Sequence, residues 1–195
     1  MKRSHSLLIG SAVVLATLAA LRGTSAPNVN AYALARVIEA EQDHVTAIQL
    51  AEWIRDRKAG LRVVDVRSDS EYQAFHIPTA EHVALDSVVR IKPAAGETLV
   101  LYSEGGAHAA QAWVLLRTLG HEHVYFLRGG LLDWMDDVLS PSLRDRTGNT
   151  STDSSAARIA SVSRYFGGTP HVDPKAAPPE ASTGAAVAKI KRRGC

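Results

Sequence analysis

The thiol of Cys195 is the most reactive nucleophile in the sequence, which contains a single cysteine. Basic residues precede it in the run KIKRRGC, at residues 189–195. Nearby cations lower the pKa of a thiol and favour the thiolate, which is the nucleophilic form. Because a lone cysteine cannot form an internal disulfide, three interpretations remain open: a sulfur-carrying or redox thiol, an incidental free thiol, or a disulfide between two chains.

Histidines are the next candidates, because imidazole is a common metal ligand. His121 and His123 flank Glu122 and would share one face of a strand, while His82 lies far away in the sequence. No third ligand with the spacing of a zinc site accompanies them. The sequence therefore predicts no metal site, and it implies no cofactor.

Charge is distributed unevenly along the chain. Residues 45–139 contain 9 Lys and Arg against 13 Asp and Glu, whereas residues 140–195 contain 9 against 4. Hydrophobic residues make up 46% of the chain, as in an ordinary globular protein. Because the basic excess belongs to the tail, the folded part is not expected to bind nucleic acid.

The first residues are typical of a targeting segment. Lys2 and Arg3 are followed by an uncharged stretch at 7–21, which is short for a membrane span. Residues 1–31 are therefore predicted to be a signal peptide or, if they are not removed, an N-terminal membrane anchor. Either outcome predicts an exported protein in the periplasm or cell envelope.

Short apolar runs alternate with helical patterns between residues 45 and 139. Strands are predicted at 61–66, 82–85, 98–102 and 123–127. Helices are predicted after Thr46, which forms a capping-box pattern with Gln49, and at 70–75, 107–119 and 131–139. Strands that alternate with helices predict an α/β fold, with a mostly parallel sheet covered on both faces.

The segments outside this range are less patterned. Residues 27–44 are interpreted as a linker or a leading helix. Residues 140–195 are rich in Ser, Thr, Pro and Ala, which predicts a mostly disordered basic tail. Within it, Ile159, Val162, Tyr165 and Phe166 have helical spacing, and whether this short piece docks on the domain is left open.

Three segments of the chain together resemble the rhodanese family. The family motifs in question are DVR…EY…HIP.A, the loop Cys-x-x-Gly-x-Arg, and L.GG…W. The matching residues are Asp65-Val66-Arg67, Glu71-Tyr72, His76-Ile77-Pro78 with Ala80, the loop Ser103–His108, Leu127-Arg128-Gly129-Gly130 and Trp134. The resemblance covers residues 45–139 and implies a single rhodanese-like domain. Phe75 and Thr79 stand where the family usually has glycines, which suggests locally altered turns.

The resemblance also implies where an active site would lie. In the family, the loop between a strand and a helix N-terminus forms an anion-binding cradle of backbone N–H groups. Here that loop consists of Ser103, Glu104, Gly105, Gly106, Ala107 and His108. Serine replaces the nucleophilic cysteine and His108 replaces the usual arginine. Because a hydroxyl cannot form a persulfide, ordinary sulfurtransferase chemistry at this loop is excluded.

Ser103 could still act as a nucleophile if a base activated it and a third group oriented that base. His108 is close in sequence, but no orienting partner is evident, and Glu104 adds negative charge beside the cradle. Asp65, Arg67, Glu71 and His76 are interpreted as a structural bracing network implied by the family signature.

These observations predict a binding or regulatory module that lacks sulfurtransferase activity at the loop. Its partner is an unknown protein or a small anion. The alternative is a sulfurtransferase or thiol-redox protein that uses Cys195, and a Ser103-dependent hydrolase is a third, weaker hypothesis.

Overall fold

The computed structural model describes residues 30–143 and 153–172. The predicted signal peptide or anchor, the basic run before Cys195 and Cys195 itself lie outside these residues. No helix within the described ranges is long and apolar enough to cross a membrane.

A five-stranded parallel sheet forms the centre of the domain. Its strands are β1 (His44–Val45), β2 (Leu61–Asp65), β3 (Glu81–His82), β4 (Thr98–Tyr102) and β5 (Val124–Leu127). Their order across the sheet is β1-β5-β4-β2-β3, and every neighbouring pair is parallel. The predicted parallel α/β fold is therefore confirmed.

Helices cover both faces of the sheet. They are α1 (Ala31–Glu39), α2 (Ala47–Arg55), α3 (Asp69–Ala74), a 3₁₀ helix (Leu85–Arg90), α4 (Ala107–Thr118), α5 (Gly130–Trp134, continued by a π-helical turn at Met135–Leu139) and α6 (Asp153–Tyr165). α2, α5 and α6 pack against one face, and α1 and α4 pack against the other. β4 is buried on both sides, since Val100 and Tyr102 face one core while Leu99 and Leu101 face the other.

Local signals explain where several helices begin. The Thr46 hydroxyl accepts a hydrogen bond from the Gln49 backbone N–H at 3.2 Å, as the capping pattern predicts. α3 begins with a full capping box, in which Ser68 and Glu71 satisfy each other's backbone N–H groups. The first cap marks where the chain turns from β1 into α2, and the second marks where it turns from β2 into α3.

The structure differs from the predicted elements at the edges of the sheet. β1 is not predicted, because two residues are too few to show a periodic pattern. The strand predicted at 82–85 corresponds to β3, which is shorter and covers Glu81–His82. It is an edge strand that pairs with β2 alone, and the 3₁₀ helix already begins at Leu85.

The amphipathic piece of the tail forms α6 and docks on the domain. Val162 is fully buried in the same core as α2 and α5. The Phe166 ring packs edge-on against Trp134 with centroids 5.1 Å apart, and Arg158 pairs with Glu52 of α2 at 2.5 Å. The folded unit therefore extends past residue 139 to include this helix.

Candidate functional site

The loop from Ser103 to Gly106 leaves the carboxyl end of β4 and enters α4. Ligand sites of open parallel sheets lie at this end of the strands. Gly106 is the N-cap of α4 and has a φ of 88°, a left-handed conformation that favours glycine. The sequence therefore builds a sharp turn directly before a helix N-terminus.

Gly130 of the third motif allows this loop to pack against α5. A Cβ atom on Gly130 would lie 2.2 Å from the Ser103 carbonyl oxygen and 2.6 Å from the Gly106 nitrogen. The close approach lets Leu131 N–H donate to the Ser103 carbonyl at 2.9 Å, and Leu132 N–H donate to the Glu104 carbonyl at 3.1 Å. The loop is therefore held rigidly by backbone contacts from the start of α5.

Ser103 is almost completely buried beneath the loop, with 3% of its surface exposed. Its hydroxyl oxygen accepts a hydrogen bond from the Ala109 backbone N–H at 3.3 Å. The serine therefore satisfies a donor in the first turn of α4. In the described residues it makes no hydrogen bond to a histidine, so the arrangement of a serine hydrolase is not assembled here.

Several backbone donors of the loop have no acceptor among the residues that the structure describes. Across the described ranges, no protein oxygen pairs with the N–H groups of residues 105–108. These four groups sit at the positive end of the α4 dipole, so they can donate to an anion bound at the loop, although Gly106 itself is buried.

An ion-pair network with two carboxylates and one guanidinium lies beside the loop. Arg67 donates to the fully buried Asp65 through Nη2 at 2.7 Å and through Nε at 3.1 Å. Its Nη1 reaches the Glu104 carboxylate at 3.2 Å. Burial is the largest single influence and lowers the pKa of Arg67, but the hydrogen bonds and charge interactions with Asp65, Tyr102 and Glu104 together raise it above its usual value, so the guanidinium stays charged. The network carries one net negative charge.

The same arginine anchors the segment that follows α3. Its Nη2 donates to the Phe75 carbonyl at 2.6 Å, and its guanidinium lies 5.8 Å from the centre of the Tyr102 ring. Burial raises the pKa of the Tyr102 hydroxyl, and that oxygen accepts a hydrogen bond from Ile77 N–H at 3.1 Å. Arg67 thus connects β2, the turn after α3 and the loop.

The remaining predicted residues lie around this centre in different roles. His108 is exposed on the first turn of α4. Glu71 caps α3, and its hydrogen bonds from Ser68 lower the pKa of the Glu71 carboxyl. His76 stacks on Tyr72 with ring centroids 4.1 Å apart. In the described part of the chain, no group of three or more His, Cys, Asp and Glu side chains is arranged to hold a metal ion.

The turn after α3 shows how the chain accommodates its departures from the family glycines. Phe75 has an extended backbone with a φ of −166°, which any residue adopts. Thr79 has a φ of 70° and follows Pro78 in a turn closed by a 3.0 Å hydrogen bond from Ala80 N–H to the Ile77 carbonyl. This is a type II turn, in which glycine is favoured at the position of Thr79. Threonine therefore keeps the turn at the expense of local strain.

Comparison with known proteins assigns a family to the region that contains the Ser103 loop. Residues 46–137 match the family model described as the rhodanese-like domain. The chain is 36% identical over 109 residues to an HTH-type transcriptional regulator of Mycobacterium tuberculosis, covering 53% of this chain and 46% of that protein. It is 27% identical over 89 residues to a tRNA uridine(34) hydroxylase of Rickettsia bellii, covering 42% of this chain and 36% of that protein.

Among solved structures, the rhodanese-like domain of an Anabaena protein matches with 28% identity and a TM-score of 0.44, covering 47% of this chain and 72% of that structure. The chain spans less than half the length of each of the two curated relatives, the transcriptional regulator and the hydroxylase.

Proposed function

Residues 46–137 form a rhodanese-like domain, and we propose that this domain binds an anionic group at the Ser103 loop without transferring sulfur. The ligand is a small anion or an anionic group of a protein partner. The observation that carries the proposal is the set of four backbone N–H groups, at residues 105–108, for which the described protein supplies no acceptor.

The chemistry of position 103 supports a binding role over a catalytic one. Sulfur transfer requires a thiolate that accepts sulfane sulfur and holds it as a persulfide. A hydroxyl cannot do this, and the Ser103 oxygen is buried and hydrogen-bonded to Ala109 N–H. The serine therefore stabilises the loop that an active enzyme would use for its nucleophile.

The negative charge beside the loop predicts that the affinity for an anion is low and that it depends on the charge at Glu104. Glu104 lies on the loop itself, and Arg67 is shared between this carboxylate and Asp65. If the net negative charge is taken to lie about 6 Å from the bound anion, it weakens binding by about 0.7 kcal/mol in water, or about threefold in Kd. The site thus favours an anion that brings additional contacts of its own.

The named relatives are consistent with a module whose role depends on its surroundings. One is named a hydroxylase and the other a transcriptional regulator, and each shares less than half its length with this chain. We extend the proposal to an exported protein of the periplasm or cell envelope, because residues 1–31 have the pattern of a signal peptide or membrane anchor.

Anion titration of the isotope-labelled full chain tests the proposal. Sulfate or thiosulfate should shift the amide resonances of residues 105–108 at millimolar concentrations. The N-terminus of α2 is a matched control, because Thr46 already caps it. Glu104→Gln should tighten binding about threefold. Equal shifts at both helix N-termini, or no saturable shift at the loop, would contradict the proposal.

The same preparation distinguishes the alternative that uses the tail thiol. The full chain should not transfer sulfur from thiosulfate to cyanide. Turnover that disappears in Cys195→Ser would instead establish a sulfurtransferase or redox protein working through Cys195, whose basic neighbours favour a thiolate.

A further inference from the structure

An exposed apolar and acidic surface adjoins the loop at the start of α5. Leu132 and Met135 are 42% and 45% exposed on this helix. The Leu132 side chain lies 4.0 Å from the position that a Cβ on Gly105 would occupy, so it borders the loop directly. We call this area, formed by Glu104, Leu132, Asp133, Met135 and Asp136, the α5 surface.

The charge of the α5 surface is negative. Residues 129–139 contain Asp133, Asp136 and Asp137, with no Lys or Arg among them. The Glu104 carboxylate, half exposed, adds to them at the loop. Arg67 is already shared between Glu104 and Asp65, and Arg128 is the basic residue that directly precedes this stretch. An apolar patch surrounded by carboxylates fits a basic segment that also carries an apolar side chain.

We propose that the α5 surface binds residues 189–195 of the same chain, KIKRRGC. Lys189, Lys191, Arg192 and Arg193 supply the complementary charge, and Ile190 supplies an apolar side chain for Leu132 and Met135. The inference rests on the proposed function in one respect: the anion that reaches the loop would be the thiolate of Cys195, which its basic neighbours favour.

The point at which the described chain leaves the domain makes this contact feasible. Thr169 N–H donates to the Leu139 carbonyl at 2.7 Å, and His171 N–H donates to the Pro141 carbonyl at 3.0 Å. Residue 172 therefore leaves beside the end of α5, and the loop lies at the other end of this helix. Ten helical residues span about 15 Å. The segment 173–188 spans up to about 50 Å when extended, so it can cover that distance.

Disulfide trapping in the full chain tests the proposal, because Cys195 is the only natural cysteine. Leu132→Cys places a thiol on the α5 surface. Leu119→Cys is the matched control, since this leucine is 46% exposed at the end of α4. α4 and α5 both run back from the carboxyl ends of their strands, so Leu119 lies at the end of the sheet where residue 172 leaves. Leu119 lies on the face of the sheet opposite α5, so the comparison of Leu132→Cys with and without Asp136→Lys, made on one face, separates charge recognition from proximity.

The expected result is intramolecular disulfide formation in a dilute glutathione buffer at least tenfold faster for Leu132→Cys than for Leu119→Cys. Adding Asp136→Lys, or raising the salt concentration to 1 M, should remove most of that preference. Equal rates in the two cysteine variants would overturn the inference. Anion shifts at residues 105–108 of the Cys195→Ser protein would in that case still support the proposed function, so the two failures can be told apart.

Discussion

Loss of the Arg67 side chain should destabilise the domain far more than loss of an exposed arginine. Arg67 and Asp65 are 6% and 0% exposed in their side chains, and two guanidinium nitrogens bond the carboxylate. Arg67→Met keeps much of the side-chain volume but leaves the Asp65 charge buried without its partner. Breaking a buried pair in this way costs about 3–5 kcal/mol in the free energy of unfolding.

Urea unfolding followed by tryptophan fluorescence measures this cost, since Trp113 and Trp134 are buried. Arg55→Met is the control, because Arg55 pairs with Asp56 at the surface with side chains 27% and 61% exposed. Arg55→Met should lower the free energy of unfolding by no more than about 1 kcal/mol. In a double-mutant cycle, Asp65→Asn with Arg67→Met should cost less than the sum of the single changes by about 2 kcal/mol. A loss at Arg67 as small as that at Arg55, with additive single changes, would refute the assignment of Arg67 as the buried connector.

Two other changes test the local conformation and the docked helix. Thr79→Gly should raise the free energy of unfolding by about 0.5–1 kcal/mol, because glycine relieves the left-handed strain while it adds some entropy to the unfolded chain. Thr79→Ala should raise the free energy of unfolding by less. A Thr79→Gly protein less stable than the parent would argue against the type II turn. Val162→Ala should lower the free energy of unfolding by about 2 kcal/mol, because Val162 lies on α6 and is fully buried in the core that α6 shares with α2 and α5. Val172→Ala, at a position 53% exposed, should change it by less than about 0.5 kcal/mol, and equal effects at the two valines would show that α6 does not dock.

The central strands were predictable because each is a continuous apolar run bounded by turn residues. β4 occupies the predicted residues, Thr98–Tyr102, because burial on both faces requires apolar side chains at successive positions. β1 has only two residues, and its place in the sheet depends on pairing with β5. Such pairing is a tertiary contact that leaves no periodic signal in the local sequence.

The position of the Ser103 loop was predictable from the sequence, but its side-chain contacts were not. The spacing of the motifs locates the Ser103 loop, whereas the link from Arg67 to Glu104 spans 37 residues and depends on how β2 and β4 pair. His108 is adjacent to the loop in sequence, yet it is exposed on α4, and Ser103 bonds Ala109 N–H instead. The closeness of two residues in sequence therefore did not determine which of them contact each other.

Sulfane-sulfur transfer from thiosulfate to cyanide by Ser103→Cys tests the central claim most directly. The variant is made in the Cys195→Ser background, so that the introduced thiol is the only one. Ser87→Cys in the same background is the control, because it places a thiol on the 3₁₀ helix and outside the loop. The account predicts turnover in Ser103→Cys alone, which would mean that the loop can still bind and stabilise the anion and lacks only its nucleophile. An inactive but folded Ser103→Cys protein, with no anion shifts at residues 105–108, would contradict it.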